Sequence, residues 1–433
     1  MSSHPLRTQT PRTSAVTGAR QAAYTVLRRV FEQGAYADRA LRAAAEPLDA
    51  RERAFATQLA YGTVQRAGTL DHVAAHYARR PAARLDPPVL AALRLGLFQL
   101  LFLDGVADHA AVAESVELAK RDARPASGLV NAVLRKAAAG GRDLLASLPD
   151  ETPAQAATRY SVPPWLAELW FAAYGAQEAR ALLAACNEPA EHALRANTLV
   201  TTPDELVERL GVPAHRGPDP PDAVVVDAPL DAHGSPLFRA GALLPQSRAS
   251  QLVAHALDPR PGERVLDLCA APGGKTTHLA ALMGDEGTIT AVERNADRAD
   301  GLARTAKRMR ATIVRVEVGD AADFQTSEPY DRVLVDPPCS GLGTLSSRPD
   351  LRWRASPDRI ERLVGEQAAI LRAAAAATRP GGRLVYSTCT LSPRENERQL
   401  AALDGFELRS TRTTLPHRDR TDGFFIATLI RRV

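Results

Sequence analysis

Apolar residues recur at helical spacing through the first third of the chain, alternate only in short pieces through the middle, and from about residue 250 gather into brief runs separated by helical segments. In "ARQAAYTVLRRVFEQG", Ala22, Val26, Val30 and Phe31 fall at helical spacing and Gly34 ends the run. Further helical stretches are predicted around 51–66, 88–103, 109–120 and 126–138, with no strand signal among them, which gives a compact all-helical domain. "GGRDLLASLPDETP" supplies Gly and Pro punctuation and reads as a linker. A helical stretch carrying Trp165 and Trp170 then runs to about Cys186, and the strand-like pieces "ALRANTLV" and "AVVVDAPL" follow between Pro-rich turns, as in a small α+β region. Beyond it, "RVLDLC", "TITAVE", "TIVRVEVGD", "RVLVDPP" and "GRLVYSTC" are five strand candidates. Their alternation with helical segments predicts a parallel, doubly wound α/β sheet. The closing "GFELRST" and "DGFFIATLIRRV" are expected to add an antiparallel pair at its edge. The expected layout is a tail over 1–16, a helical domain over 17–145, a linker and small α+β region over 146–250, and a Rossmann-like α/β domain over 251–433.

Composition narrows the class. A chain of 433 residues exceeds one ordinary core, in keeping with several domains. Its most apolar stretch, "VLAALRLGLFQLLFLDGV", carries Arg94 and reads as an amphipathic core helix rather than a membrane span. The N-terminus is polar and basic without an apolar centre, so it is read as a disordered tail and not a signal peptide. Cysteines stand at 186, 269, 339 and 389, and no two are closer than fifty residues, which excludes CxxC metal and redox signatures. No metal is expected, and the compartment expected is a reducing cytoplasm in which thiols stay available for chemistry. Charge is unevenly placed: residues 1–145 hold 20 Lys and Arg against 13 Asp and Glu, or +7, while the whole chain carries +4. The helical third is therefore the candidate for an anionic partner such as RNA, against the plainer alternative of a solvated arginine-rich surface.

The first α/β strand ends in "LDLCAAPGGKTTHLA", a Gly- and Ala-rich turn between strand and helix that lets backbone approach a ligand closely. The GKT tail suggests a phosphate loop, but that pattern needs a glycine where Cys269 stands, and no GxGxxG is present either. The spacing fits a variant of the S-adenosylmethionine loop, with Asp267, Cys269, Ala271 and Gly273 at alternate positions. The cofactor candidates are accordingly Cys269, Ala270, Ala271, Pro272, Gly273, Gly274 and Lys275. Only four of the 54 basic residues are lysine, and one of them, Lys275, is in this loop. The second strand ends at Glu293, where an acid can accept from both ribose hydroxyls, and the third ends in "VGDAADF", placing Asp320 beside the adenine site. Each acid alone would read as a strand-end cap; three in register read as a nucleotide site.

Two later strands end in cysteine motifs, "VDPPCSGLGTL" with Asp336 and Cys339, and "YSTCTLSPRENE" with Cys389 flanked by hydroxyls. A lone strand-end cysteine is usually a small packing residue, but two ending neighbouring motif strands read as functional. Together with "LDLCAAPGGKTTHLA" and "PDLRW", these motifs resemble those of the RNA 5-methylcytosine methyltransferases. The N-terminal "LRLGLFQLLFLDGVADHAAVAESVELAK" and "GLVNAVLRK" resemble a NusB-like RNA-binding domain. The combination, running from about residue 17 to the C-terminus, is similar to the bacterial branch of the family that methylates 16S ribosomal RNA. One position departs from many relatives: Ser247 follows Gln246 where an acid is usual.

The resemblance implies a chemistry. Carbon 5 of cytosine is a poor nucleophile, and a thiolate adding to carbon 6 makes it enamine-like. By the family's pattern Cys389 is the nucleophile and Cys339 assists product release; sequence spacing alone leaves either cysteine open, and a Pro-Cys nucleophile would favour Cys339. Asp336 is the candidate for a proton or strong hydrogen bond at ring nitrogen 3 and for a cofactor contact. Cys186 keeps a packing role. The implied partner is 16S ribosomal RNA, engaged by a monomer with no membrane contact. The alternatives are methylation of another RNA such as transfer RNA, of DNA or of protein, and a non-catalytic RNA-binding module with an unused cofactor fold.

Overall fold

The computed structural model describes residues 16–401 and 403–433, so the expected tail lies outside it except for its last residue. The described chain forms two compact units, one of residues up to Glu168 with Arg348–Asp350, the other of Leu169–Ser347 with Leu351–Val433.

The first unit is helical throughout, with helices at Gly18–Gln33, Ala37–Ala44, Ala50–Ala78, Pro87–Phe102, Asp108–Asp122, Ser127–Ala146 and Pro153–Tyr160. Asp49 caps the longest by accepting from the Glu52 amide, and Gly34 closes the first at a φ of +65°. The helix Pro87–Phe102 corrects the amphipathic expectation: every residue from Ala91 to Leu101 is buried, because the helices Ala50–Ala78, Asp108–Asp122 and Ser127–Ala146 pack around it. A helix covered on all sides needs no polar stripe. Its one charge, Arg94, forks onto Asp71 through two hydrogen bonds of 2.7 Å. Gly140 and Gly141, read as the start of a linker, lie inside the last long helix. A Cβ on Gly141 would sit 2.7 Å from Leu101, so this glycine serves close packing, not chain reversal.

The second unit holds two sheets. The smaller contains β1 (Ala193–Ala196), β2 (Ala214–Arg216), β3 (Ala223–Val226) and β4 (Leu243–Pro245), antiparallel in the order β2-β3-β1-β4. The larger contains β5 (Arg264–Leu268), β6 (Thr288–Glu293), β7 (Val314–Val318), β8 (Tyr330–Val335), β9 (Thr378–Thr388), β10 (Phe406–Thr414) and β11 (Phe424–Arg431). Its order is β10-β11-β9-β8-β5-β6-β7, parallel from β9 to β7, with β11 and β10 antiparallel. All five expected strands form, and the closing pair joins beside β9. Strand order reverses between β5 and β8, where the crevice outside the strand ends takes ligands in open α/β sheets. The strands there are continuous apolar runs buried on both faces: Val265, Leu266 and Leu268 from β5, Val333, Leu334 and Val335 from β8, and Leu384, Val385 and Tyr386 from β9. This core fixes where the polar strand ends emerge.

Candidate active site

Asp267 is the penultimate residue of β5; its carboxyl is buried and accepts from Thr276 Oγ1 at 2.6 Å, tying the strand to the first turn of the helix Gly274–Leu282. Burial pushes the Asp267 carboxyl up to about 7. Between strand and helix the backbone turns through Cys269, at a φ of +69°, and Gly273, at +98°. A Cβ on Gly273 would lie 2.6 Å from Leu302 Cδ1, so the turn is left-handed and tightly packed at once. Ala270 and Ala271 are buried within it, and burial drives the Cys269 thiol far up, so that it remains protonated.

On the next strand, Glu293 is 3% exposed, accepts from the Asn295 amide at 3.0 Å and pairs with Arg298 at 3.3 Å. Arg298 also donates to the Ala271 carbonyl at 2.9 Å, joining the turn to the acid. Asp320, past β7, accepts from the Ala322 amide at 2.9 Å and caps a short 3-10 turn. The three acids stand at the ends of β5, β6 and β7, in the register expected of them.

The thiols meet on the other side of the switch point. Cys339, in the loop after β8, and Cys389, at the tip of β9, have their Sγ atoms 3.3 Å apart. All four cysteines are thiols. Cys339 is raised well above an ordinary thiol by its hydrogen bond to Cys389, then by burial. Either sulfur can donate the hydrogen bond between them. Asp336, at the end of β8, receives Ser387 Oγ at 3.0 Å on one carboxylate oxygen and Lys275 Nζ at 2.6 Å on the other. Burial alone would lower the Lys275 ammonium, but Asp336, and after it Cys389 and Asp267, more than offset this and raise it. Lys275 also lies 5.2 Å from the centre of the Phe424 ring. The Gly-rich turn is thereby joined to Asp336 through the lysine, with Cys389 within the lysine's field.

Several contributors were not foreseen. Arg195 on β1 is fully buried and donates to the Gly274 carbonyl at 2.7 Å and to Thr277 Oγ1 at 2.9 Å, so the small sheet grips the helix behind the cofactor turn. Asp222 accepts from His278 Nε2 at 2.6 Å and faces His255 Nε2 at 2.7 Å. These three side chains have metal-ligand character, but His278 Nδ1 is buried without a partner, whereas a ligating imidazole normally donates its second N–H. We read the group as a hydrogen-bonded clamp on the same helix. Ser247 caps the helix Arg248–Leu257 by accepting from the Ser250 amide. The turn after Cys389 is held by Glu395 and Asn396, both buried, and by Gly343, whose amide donates to the Cys389 carbonyl at 3.0 Å. Their signal was present in "SPRENE", but a turn sequence does not reveal which way its side chains fold back.

Comparison with known proteins identifies each of the three regions of the chain. Residues 254–430 match the family model "16S rRNA methyltransferase RsmB/F", 17–139 match the NusB family, and 162–233 match the ferredoxin-like domain of RsmF/B-like methyltransferases. The chain is 37% identical to the probable ribosomal RNA small subunit methyltransferase B of Synechocystis, covering 95% of this chain and 99% of the relative. To the protein of the same description in Bacillus subtilis it is 33% identical, covering 95% and 98%. The crystal structure of PH0851 superposes with a TM-score of 0.80 at 29% identity, covering 96% of this chain and all of that one. The small sheet is thus a ferredoxin-like domain, the helical unit a NusB domain, and the chain belongs to the RsmB/F family of 16S rRNA methyltransferases.

Proposed function

We propose that the protein methylates carbon 5 of a cytidine in 16S ribosomal RNA through a covalent bond between Cys389 and carbon 6. The observation that carries this reading is the pair of thiols 3.3 Å apart at the ends of adjacent strand motifs, with the Asp336–Lys275 pair alongside. A methyltransferase acting on an exocyclic amine has no use for two such thiols.

The residues at the ends of β5, β6 and β7 fit S-adenosylmethionine. The tight turn over Cys269–Gly273 leaves room for backbone contact, and Glu293 presents a nearly buried carboxylate to hydroxyl donors. Cys269 through Lys275, Glu293, Asp320 and Asp336 would hold it, and once bound it supplies an electrophilic methyl group. The protein's own side chains do the rest. Cys389, in contact with the Cys339 sulfur and lying within the field of the Lys275 ammonium, is the thiolate that adds to carbon 6. Asp336, 2.6 Å from the Lys275 ammonium, passes a proton from that lysine to ring nitrogen 3 as negative charge develops there. After carbon 5 accepts the methyl group, water takes its proton, the electrons of that carbon–hydrogen bond restore the ring double bond, the carbon–sulfur bond breaks, and Cys389 leaves as thiolate. Cys339, a protonated thiol in contact with the leaving sulfur, assists that release.

The test is a denaturing gel of each cysteine variant incubated with 16S RNA and cofactor. Cys389→Ala should give neither turnover nor adduct, and Cys339→Ala should accumulate an adduct that survives denaturation. An adduct from Cys389→Ala alone would reverse the roles; methylation intact in both variants would remove the thiols from the mechanism. Bisulfite sequencing of the RNA product separates carbon 5 of cytidine from other positions.

A further inference from the structure

Glu395 is fully buried, yet among the described residues no cation pairs with it. Its partners are neutral donors. The carboxylate accepts from the Ser340 amide at 2.8 Å, from Ser340 Oγ, from Gln367 Nε2 at 3.1 Å and, more weakly, from Thr390 Oγ1 at 3.4 Å. Ser340 Oγ and Thr390 Oγ1 are themselves 2.7 Å apart. Ser340 is the residue after Cys339 and Thr390 the residue after Cys389. One carboxylate therefore grips the chain directly behind both thiols.

The neighbouring hydrogen bonds point the same way. The Glu395 carbonyl accepts from Tyr386 Oη at 2.7 Å. Asn396 spans the nucleophile, receiving Thr388 Oγ1 on one side at 2.5 Å and donating to the Thr390 carbonyl on the other at 3.0 Å. Gln367 completes the frame by donating to the Pro338 carbonyl at 2.9 Å. Burying a carboxylate without a counter-ion is costly, and an apolar residue would fill the space without that cost. What an apolar residue would not do is accept three hydrogen bonds from two motifs fifty residues apart and a fourth from Gln367.

We propose that Glu395 is a positioning residue for methyl transfer: by holding Ser340 and Thr390 on one carboxylate it fixes the separation and aim of the Cys339 and Cys389 sulfurs. This rests on the two-thiol mechanism above. Its charge acts in the same sense as the hydrogen bond to Cys389 and the burial that raise the Cys339 thiol.

The test has two readouts on the full-length protein. The first is single-turnover methylation of 16S RNA. The second needs neither RNA nor cofactor: diamide oxidises a pair of nearby thiols to a disulfide, two thiols giving up two protons and two electrons to the diazene, which becomes the hydrazine. Mass spectrometry of the peptides bearing Cys339 and Cys389 then gives a cross-linking rate that reports sulfur–sulfur geometry. Glu395→Gln, which keeps the shape but offers one acceptor oxygen instead of two, should lower both rates tenfold or more, with S-adenosylmethionine affinity within twofold of wild type. The double variant Ser340→Ala, Thr390→Val, which removes the hydroxyl arms and leaves the carboxylate, should reproduce both losses and serves if Glu395→Gln does not fold. If either rate is unchanged in a folded variant, the proposal fails. Should the wild type form no adduct with RNA, the two-thiol mechanism fails instead, and the cross-linking rate still decides whether Glu395 sets the geometry.

Discussion

Burial near the end of β5, and then the like-charged neighbour Asp336, hold the Asp267 carboxyl above the usual carboxylate range and outweigh the hydrogen bond from Thr276, which acts the other way. Its value in the folded protein, about 7, lies above the ordinary unfolded value of about 3.9. A raised folded value means the fold prefers the protonated form. The resulting stability is fully present below about pH 4 and is lost as pH rises through about 7, at no more than about 1.4 kcal/mol per pH unit. Asp267→Asn keeps a partner for Thr276 but cannot ionise. Urea unfolding of the cofactor-free protein between pH 5 and 8 should show the variant losing less stability than wild type as pH rises. Parallel profiles would mean that Asp267 is ionised throughout. The residues named from sequence were those whose type is unusual for their place: cysteines and acids where apolar strands stop. Arg195, Arg298, Glu395 and Asn396 escaped because their partners lie far along the chain or fold back across a turn, and ordinary polar residues give no local sign of that.

At the scale of elements, periodicity carried most of the fold. The strands of the large sheet were legible because parallel strands buried on both faces are short apolar runs. β2 and β4 are three residues each, too short to alternate visibly, and the small sheet was seen only through β1 and β3. Helix extents were harder, since the buried glycine at 141 and the all-round burial of Pro87–Phe102 both break the usual sequence rules. The same packing logic gives a pair of glycine predictions of opposite sign. Gly273→Ala forces a side chain onto a φ of +98° and against Leu302, so it should destabilise the protein by about 1–3 kcal/mol and weaken cofactor binding. Gly365 lies exposed in the helix Pro357–Ala377 with open space at its Cβ, and Gly365→Ala should stabilise by about 0.5–1 kcal/mol. Thermal melts of the two variants check both signs; a neutral Gly273→Ala would mean that the turn relaxes freely.

For the molecule as a whole, residues 17–139, the NusB domain, hold 17 Lys and Arg against 12 Asp and Glu, or +5 of the +7 over 1–145, and Arg124, Arg135 and Lys136 are exposed there. If these side chains meet phosphates, replacing all three with alanine should weaken binding of 16S RNA and flatten its salt dependence, by about 0.7–0.9 in log–log slope for each phosphate no longer neutralised. Filter binding at several salt concentrations measures this, and an unchanged slope would place the RNA elsewhere. Charge imbalance was readable from sequence; which basic residues face outward was not, because exposure depends on how the helices pack.

The grip of Arg195 on Gly274 and Thr277 bears on how this enzyme can be cut or recombined. A fragment beginning at residue 251 would contain every residue assigned to the cofactor and to the two thiols, and would look complete on paper. It would also strip the helix behind the cofactor turn of Arg195 and Asp222, leaving His278 buried without the carboxylate it faces. Such a fragment should be expressed poorly and bind cofactor weakly, whereas one that begins ahead of Ala193 keeps the clamp. For grafting this chemistry onto another RNA-binding module, the transplantable piece is the ferredoxin-like and methyltransferase domains together.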